Sequence, residues 1–65
     1  MAQDATAVVV GRWTGTNRIQ VKLEDGRYEV VESTASSADE VEPGDSVVVA
    51  FDPDGQPLEW RPAPA

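Results

Sequence analysis

Two arginine–tryptophan pairs are the features of this sequence that come nearest to a chemical site. The stretch GRWTGTNR holds Arg12, Trp13 and Arg18, and a second pair joins Trp60 to Arg61. Aromatic rings stack on the bases of single-stranded nucleic acid while neighbouring arginines contact its phosphates. Adjacent residues of a strand face opposite ways, however, so each tryptophan can instead fill a core while its arginine meets water. We favour core tryptophans and keep the five residues as an alternative nucleic-acid surface.

The residue types that catalysis requires are scarce. The 65 residues include no histidine and no cysteine, which removes the usual general base, the thiol nucleophile and the commonest metal ligands. The serines have no histidine to activate them. A calcium site takes about 6–8 oxygen ligands, whereas the acids of the DEVE and DPDG stretches are explained by solvated loops and turn formation. We expect no enzyme, no metal and no cofactor.

The balance of charge is strongly acidic. Twelve acidic against five basic residues give a formal charge of −7. Phosphate binding depends on cationic side chains that release counterions, so this balance disfavours nucleic acid and favours a basic partner or a salt-rich environment. No apolar run approaches the roughly 20 residues of a membrane span, and MAQDATA lacks the features of a signal peptide. We expect a soluble protein with no membrane partner.

The elements that position these side chains are predicted to be strands. Runs of β-branched residues alternate with turn signals about every 8–12 residues, which is typical of a small all-β barrel. We expect one domain at residues 6–61, with frayed termini at 1–5 and 62–65. A single helical turn is predicted at 36–41, capped by Ser36 or Ser37.

The segment RIQVKLEDGRYEVVE predicts a β-hairpin. Its first half alternates apolar and polar residues, and Asp25-Gly26 is typical of a two-residue turn. Such a turn sets a register in which opposite charges and apolar residues meet across the strands. The predicted pairs are Glu24 with Arg27, Leu23 with Tyr28, Lys22 with Glu29, and Val21 with Val30.

This register directs Val31 to the outer face, opposite Gln20. In the later strand DSVVVAFD, alternation directs Val48 and Ala50 outward and leaves the remaining large apolar residues in the core. Exposed β-branched residues can simply reflect strand propensity. If they are contiguous, Val31, Val48 and Ala50 form an apolar patch of the kind that marks a partner surface.

The order of strands, with a loop and one helical turn before the PGD strand, resembles the OB-fold, a five-stranded, partly open Greek-key barrel; an SH3-like barrel is the fallback. RIQVKLEDGRYEVV followed by VEPGDSVVVAF is similar to bacterial initiation factor one and ribosomal S1-type domains. Those relatives carry basic residues in the helix loop, and STASSADEVE has none. The Gly-Asp-x-Val-x-Val strand and DPDGxP turn also resemble small barrel proteins of tailed-phage virions.

The phage resemblance implies assembly rather than chemistry. We expect a non-enzymatic structural module that binds other protein subunits, in a phage capsid or tail or in a cellular complex, and that is located in a virion or the cytoplasm. Association of identical copies is compatible with this role. The alternative is an OB-type protein that binds single-stranded nucleic acid, RNA in particular, as initiation factor one does.

Overall fold

The computed structural model describes residues 3–63 as five strands and one short 3₁₀ turn. The all-β class and the single helical turn are therefore confirmed. No helix within this range is long and apolar enough to cross a membrane. The elements are β1 (Gln3–Arg12), β2 (Arg18–Leu23), β3 (Tyr28–Glu32), the 3₁₀ turn (Ala38–Glu40), β4 (Ser46–Phe51) and β5 (Pro57–Pro62).

The strands form one antiparallel sheet in the order β3-β2-β1-β4-β5. The run β4-β1-β2-β3 is a Greek key. The sheet curls into a half-barrel, which brings its two edge strands, β3 and β5, near each other without pairing them. With the 3₁₀ turn between β3 and β4, the arrangement is the OB-like, partly open barrel that the sequence predicts.

The core lies on the concave side of the sheet. Alternate residues of each strand point inward, and the 3₁₀ turn and the residue after it add Ala38 and Val41 at one end of the barrel. Val47 and Val49 of β4 are buried as predicted. The largest fully buried side chains are Val9, Ile19, Val21, Val47, Val49 and Trp60.

Strand β1 is longer than the sequence indicates. It begins at Gln3, and Asp4 and Ala5 pair with residues of β4, so residues 3–5 are not the frayed segment that we expected. The reason is that these residues continue the antiparallel pairing of β1 with β4, up to Phe51 at the end of that strand. Strand β5 likewise extends to Pro62. What we expected of residues 1–2 and 64–65 lies outside the described range.

The turn of the β2–β3 hairpin contains three residues rather than two. Leu23 donates its N–H to the carbonyl of Arg27 at 2.8 Å, and its own carbonyl accepts the N–H of Gly26 at 3.0 Å. Gly26 has φ 90°, a left-handed conformation that glycine adopts without strain. A turn followed by a left-handed glycine is the usual three-residue hairpin loop.

The extra turn residue shifts the predicted register by one position. Lys22 lies opposite Tyr28, and Ile19 lies opposite Val31. Because side chains alternate along a strand, a shift of one residue moves every side chain of β3 to the other face. Val31 is consequently buried, while Tyr28 and Val30 are exposed. The predicted pairings, and with them the outward orientation of Val31, are wrong.

A bulge near the end of β1 is the second feature that exchanges the inward and outward positions of a strand. The pairing of β1 with β2 shifts between Val9 and Gly11, which leaves Val10 as the extra residue. Alternation is reversed beyond this point. Arg12 therefore lies opposite an inward-facing residue of β2, and Trp13 falls on the outer face.

Candidate interaction surface

Trp60 is a core residue, as predicted. Its side chain has no exposed surface, and its indole Nε1 donates to the carbonyl of Asn17 at 2.9 Å. This bond satisfies the one polar atom of the ring and ties β5 to the loop between β1 and β2. The adjacent Arg61 faces outward and forms an ion pair with Asp4 at 3.0 Å.

Trp13 lies on the outer surface, with 45% of its area exposed. The Arg18 guanidinium lies over its ring, 5.9 Å from the centroid. Arg18 also pairs with Glu32 at 3.1 Å. The prediction that both tryptophans fill the core is therefore wrong for Trp13, because the bulge in β1 reverses the direction of its side chain.

Arg12 is half-buried. Its Nη1 donates to the carbonyl of Val41, just after the 3₁₀ turn. Of the five residues of the alternative nucleic-acid surface, only Trp13 and Arg18 share one surface. Trp60 lies in the core, and Arg61 lies on the outer surface at β5, away from Trp13 and Arg18.

The predicted partner-binding residues do not form a patch. Val31 is 2% exposed and belongs to the core. Val48 and Ala50 do face outward, but both are half-buried. They lie on β4 between Asp4 of β1 and Arg61 of β5, whose ion pair crosses the strand.

The exposed apolar surface is instead on the convex side of β1, β2 and β3, which we call the three-strand face. Its side chains form three rows across the strands, according to the observed pairings. Among residues 3–63, five of the six exposed large hydrophobic side chains belong to it. The rows are Val8, Lys22 and Tyr28; then Val10 with Gly11, Gln20 and Val30; then Trp13, Arg18 and Glu32.

Cations are placed over aromatic rings in two of these rows. Besides the Arg18–Trp13 contact, Nζ of Lys22 lies 5.8 Å from the centroid of the Tyr28 ring. Arrangements of this kind contribute about 0.5–1 kcal/mol at exposed sites. The apolar side chains of β1 and β3 therefore lie on either side of the polar residues of β2, two of which are cationic.

Most basic side chains of the barrel are already engaged. Arg12 donates to a backbone carbonyl, and Lys22 lies over an aromatic ring. Each of the other three pairs with a carboxylate at 3.1 Å or less: Arg18 with Glu32, Arg27 with Asp25, and Arg61 with Asp4. Little cationic charge is left to meet phosphates.

One end of the barrel is closed by the segment around the 3₁₀ turn. Ser37 caps this turn as predicted, in a reciprocal capping box with Glu40. The N–H of Ala38 donates to the carbonyl of Thr16 at 2.8 Å, and Asp39 accepts the N–H of Gly15 at 3.2 Å. Asp39 and Glu40 of the DEVE stretch thus anchor and cap the loop.

The opposite end is open. A groove of about 560 Å³ lies between the β2–β3 hairpin and the β4–β5 turn, with Ala5, Leu23 and Phe51 among its lining. Asp52, which resembles part of a calcium loop, accepts the N–H groups of Asp54 at 3.0 Å and Gln56 at 2.9 Å and so forms the turn. No group of three potential metal-ligating side chains occurs within residues 3–63.

Two carboxylates, one in the β2–β3 turn and one on β5, have lowered pKa values. The backbone N–H of Arg27 donates to Asp25 at 3.0 Å and lowers the pKa of that carboxyl group. The hydroxyl of Thr34 donates to Glu59 at 2.7 Å and lowers the pKa of Glu59. The second bond joins β5 to the segment that follows β3.

The sequence analysis missed the three-strand face because of the hairpin register. A usable signal was present: Arg18 and Glu32 have opposite charges and meet only in the observed register, whereas the predicted one places Ser33 opposite Arg18. Both registers therefore contain pairs of opposite charge, so the two charged pairs of the predicted register do not distinguish it from the observed one.

In comparisons with known proteins, no family model, no curated protein and no solved structure matched this chain. Its fold rests on the strand order and pairing described above.

Proposed function

We propose that this protein is a non-enzymatic structural module that binds another protein subunit through the three-strand face. The observation that carries the proposal is that exposed Val8, Val10, Trp13, Tyr28 and Val30 lie on one face, on either side of the polar residues of β2. Exposed apolar side chains grouped on one face, with polar residues beside them, are typical of a binding site for another protein. Aromatic residues are also enriched at the centres of such interfaces.

The charges of the chain favour a protein as the partner. The net charge is −7, and three of the five basic residues are held by carboxylates. A nucleic acid would repel this chain and meet few available cations. The three exposed valines of the face would contribute little to phosphate or base contacts but much to an apolar interface.

The finer part of the proposal places the module in a phage capsid or tail. It rests on the resemblance of the Gly-Asp-x-Val-x-Val strand and the DPDGxP turn to small virion barrels. A cellular assembly would use the same face. Neighbouring genes for virion proteins would support the first setting.

A single substitution on the face tests the proposal. We expect Val8→Asp to abolish recovery of a stoichiometric partner when the tagged protein is purified from its source, while circular dichroism shows an unchanged fold. Thr6→Asp is the matched control, because Thr6 is exposed on the same strand but lies opposite Val48 of β4, outside the face. Equal partner recovery with both variants would contradict the proposal.

Single-stranded nucleic acid remains the second candidate, because Arg18 over Trp13 and Lys22 over Tyr28 place two aromatic–cation pairs on one face. Stacking of bases on such rings is the usual mode of OB-type binders. We expect no measurable binding of a labelled oligonucleotide at physiological salt, where non-specific binders reach about 10⁻⁴–10⁻⁶ M. Fluorescence anisotropy across a salt series checks this. Salt-sensitive micromolar binding that is lost in Trp13→Ala would favour the nucleic-acid function instead.

A further inference from the structure

The core of the barrel remains accessible at its open end. Leu23 and Phe51 keep 7% and 9% of their surface exposed, more than any other side chain of the core. At the opposite end, Ala38 and Val41 cover the core from the segment around the 3₁₀ turn. Within residues 3–63, no further element covers the open end. The groove of about 560 Å³ therefore reaches the edge of the core.

Small side chains of β1 make room for this groove. Ala7 lies opposite Leu23, and Ala5 packs against the core at the start of the strand. Ala5 lines the groove together with Leu23 and Phe51, and its methyl group fills little of the space that a larger side chain would occupy. The groove thus has an apolar floor and a volume within the roughly 300–1,000 Å³ of ligand-binding pockets.

The charged residues around the groove leave two carboxylates unneutralised. Asp25 and Arg27 pair with each other, with Nε of the arginine 2.8 Å from the carboxylate. Within residues 3–63, neither Glu24 nor Asp52 takes part in an ion pair. Asp52 uses its Oδ1 atom to accept two N–H groups of its own turn. Two carboxylates without a cation therefore lie beside the apolar floor.

We propose that this groove binds a lysine or arginine side chain of a protein segment. The apolar stem of such a side chain packs on Leu23 and Phe51, and its charged head reaches Glu24 and Asp52. The groove shares no residue with the three-strand face. It is therefore a second site, and the inference goes beyond the proposed function.

Charge complementarity identifies the chemistry of the occupant. A wholly apolar group would take water from the two carboxylates without replacing it, and an acidic group would be repelled. A basic side chain satisfies both the floor and the rim, and the net charge of −7 attracts it from a distance. A free amine is held by these contacts alone, whereas a side chain is also held by the contacts of the segment that carries it.

A peptide titration followed by NMR tests this proposal. The probe is the peptide Ala-Ala-Lys-Ala-Ala, capped at both ends so that the lysine carries its only charge. The matched control has norleucine in place of lysine, which keeps the apolar stem and removes the ammonium group. We expect the lysine peptide to shift the amide resonances of Leu23, Glu24, Phe51 and Asp52, and the norleucine peptide to shift them much less. Equal shifts with both peptides, or no shifts at these residues, would overturn the proposal.

Two charge-removing substitutions test the rim. Asp52→Asn keeps the Oδ1 atom that forms the turn, and Glu24→Gln keeps the length of the side chain. The double variant should bind the lysine peptide about tenfold more weakly, since each exposed ion pair contributes up to about 1 kcal/mol. Asp54→Asn is the matched control, because it removes a charge from the same turn but does not line the groove. Equal weakening by the control would mean that net charge alone attracts the peptide.

A substitution that fills the groove tests the floor without changing any charge. Ala5→Leu should abolish binding of the lysine peptide, because the larger side chain occupies the space beside Leu23 and Phe51. Thr6→Leu is the matched control, since Thr6 is exposed on the same strand and lies outside the groove. Circular dichroism establishes that both variants fold, and the norleucine comparison decides the question if Ala5→Leu does not. Unchanged binding by a folded Ala5→Leu variant would refute the site.

The outcomes separate this inference from the proposed function. Val8→Asp alters the three-strand face alone and should leave binding of the lysine peptide unchanged. If Val8→Asp releases the natural partner but no lysine peptide binds the parent protein, the proposed function stands and the groove site is wrong. If butylammonium binds as tightly as the lysine peptide, the occupant is a free amine. If sedimentation shows a dimer that is lost in Ala5→Leu, the occupant is a second copy of the chain. Either result would make the proposed protein segment wrong.

Discussion

The two arginine–tryptophan pairs lie in regions that use the same residue types in opposite orientations. At the end of β1, Trp13 is exposed and Arg12 is directed to the closed end of the barrel. In β5, Trp60 is fully buried and Arg61 is on the outer surface. Whether a side chain points inward or outward thus depends on the alternation of residues along its strand. In β1, the bulge between Val9 and Gly11 reverses that alternation.

This contrast also explains which outer surface is free for binding. Around β5, the outward Arg61 pairs with Asp4 across β4, and Val48 and Ala50 beneath are half-buried. From Val8 onward along β1, the outward residues Val8, Val10 and Trp13 are apolar, and within residues 3–63 no ion pair crosses this strand. An ion pair thus covers the outer surface around β5, whereas the outer surface at the end of β1 is available to a partner.

The largest expected effect separates the two tryptophans. Trp60→Ala should lower the free energy of unfolding by about 3–5 kcal/mol, because it leaves a cavity in the core, and in a domain this small it can abolish folding. Trp13→Ala should cost no more than about 1 kcal/mol, which includes the loss of the contact with Arg18. Urea denaturation of both variants measures the difference. Equal losses would mean that the two tryptophans have equivalent environments.

Insertion of one alanine between Gly11 and Arg12 tests whether the alternation of β1 sets the orientation of the first pair. The added residue should move Arg12 and Trp13 one position along β2 and direct Trp13 toward a core that is already filled. Overpacking of this kind costs about 1–3 kcal/mol. We expect lower stability together with a blue shift of the Trp13 emission, measured in a Trp60→Phe background. A red-shifted emission after the insertion would show that the alternation of β1 does not determine the orientation.

Replacing the two arginines should produce a smaller difference in the free energy of unfolding than replacing the two tryptophans. Arg12→Ala removes a half-buried donor to the Val41 carbonyl and should cost about 0.5–1.5 kcal/mol. Arg61→Ala removes an exposed ion pair, worth about 0–1 kcal/mol. Denaturation at low and high salt checks this, since only the Arg61 variant should lose its effect when charges are screened. A larger cost at Arg61 would reverse the assignment of inner and outer arginines.

The smallest expected effect is the pH dependence of the seam near β5. The pKa of Glu59 is lowered in the folded state by the Thr34 bond, so the ionised form contributes stability above the pKa of the unfolded chain and loses it as the pH falls through the folded pKa. Glu59→Gln should therefore be less stable than the parent at neutral pH and equal to it in strong acid. Thermal unfolding from pH 7 down to pH 2 follows this difference. A constant difference would mean that Glu59 ionisation does not stabilise the seam.

The sequence by itself determined the fold class, five strands and the capped 3₁₀ turn, because alternation, glycine turns and a Ser37 cap are local signals. Apolar bulk predicted burial for both tryptophans, which is right for Trp60 and wrong for Trp13. The candidate site was not determined in this way: one extra residue in the turn at Gly26 and one in the bulge at Val10 each reversed a strand's two faces. A local alternation of residues is compatible with either face of the strand pointing inward. Which face does so is decided when strands from distant parts of the chain pair and fill one core.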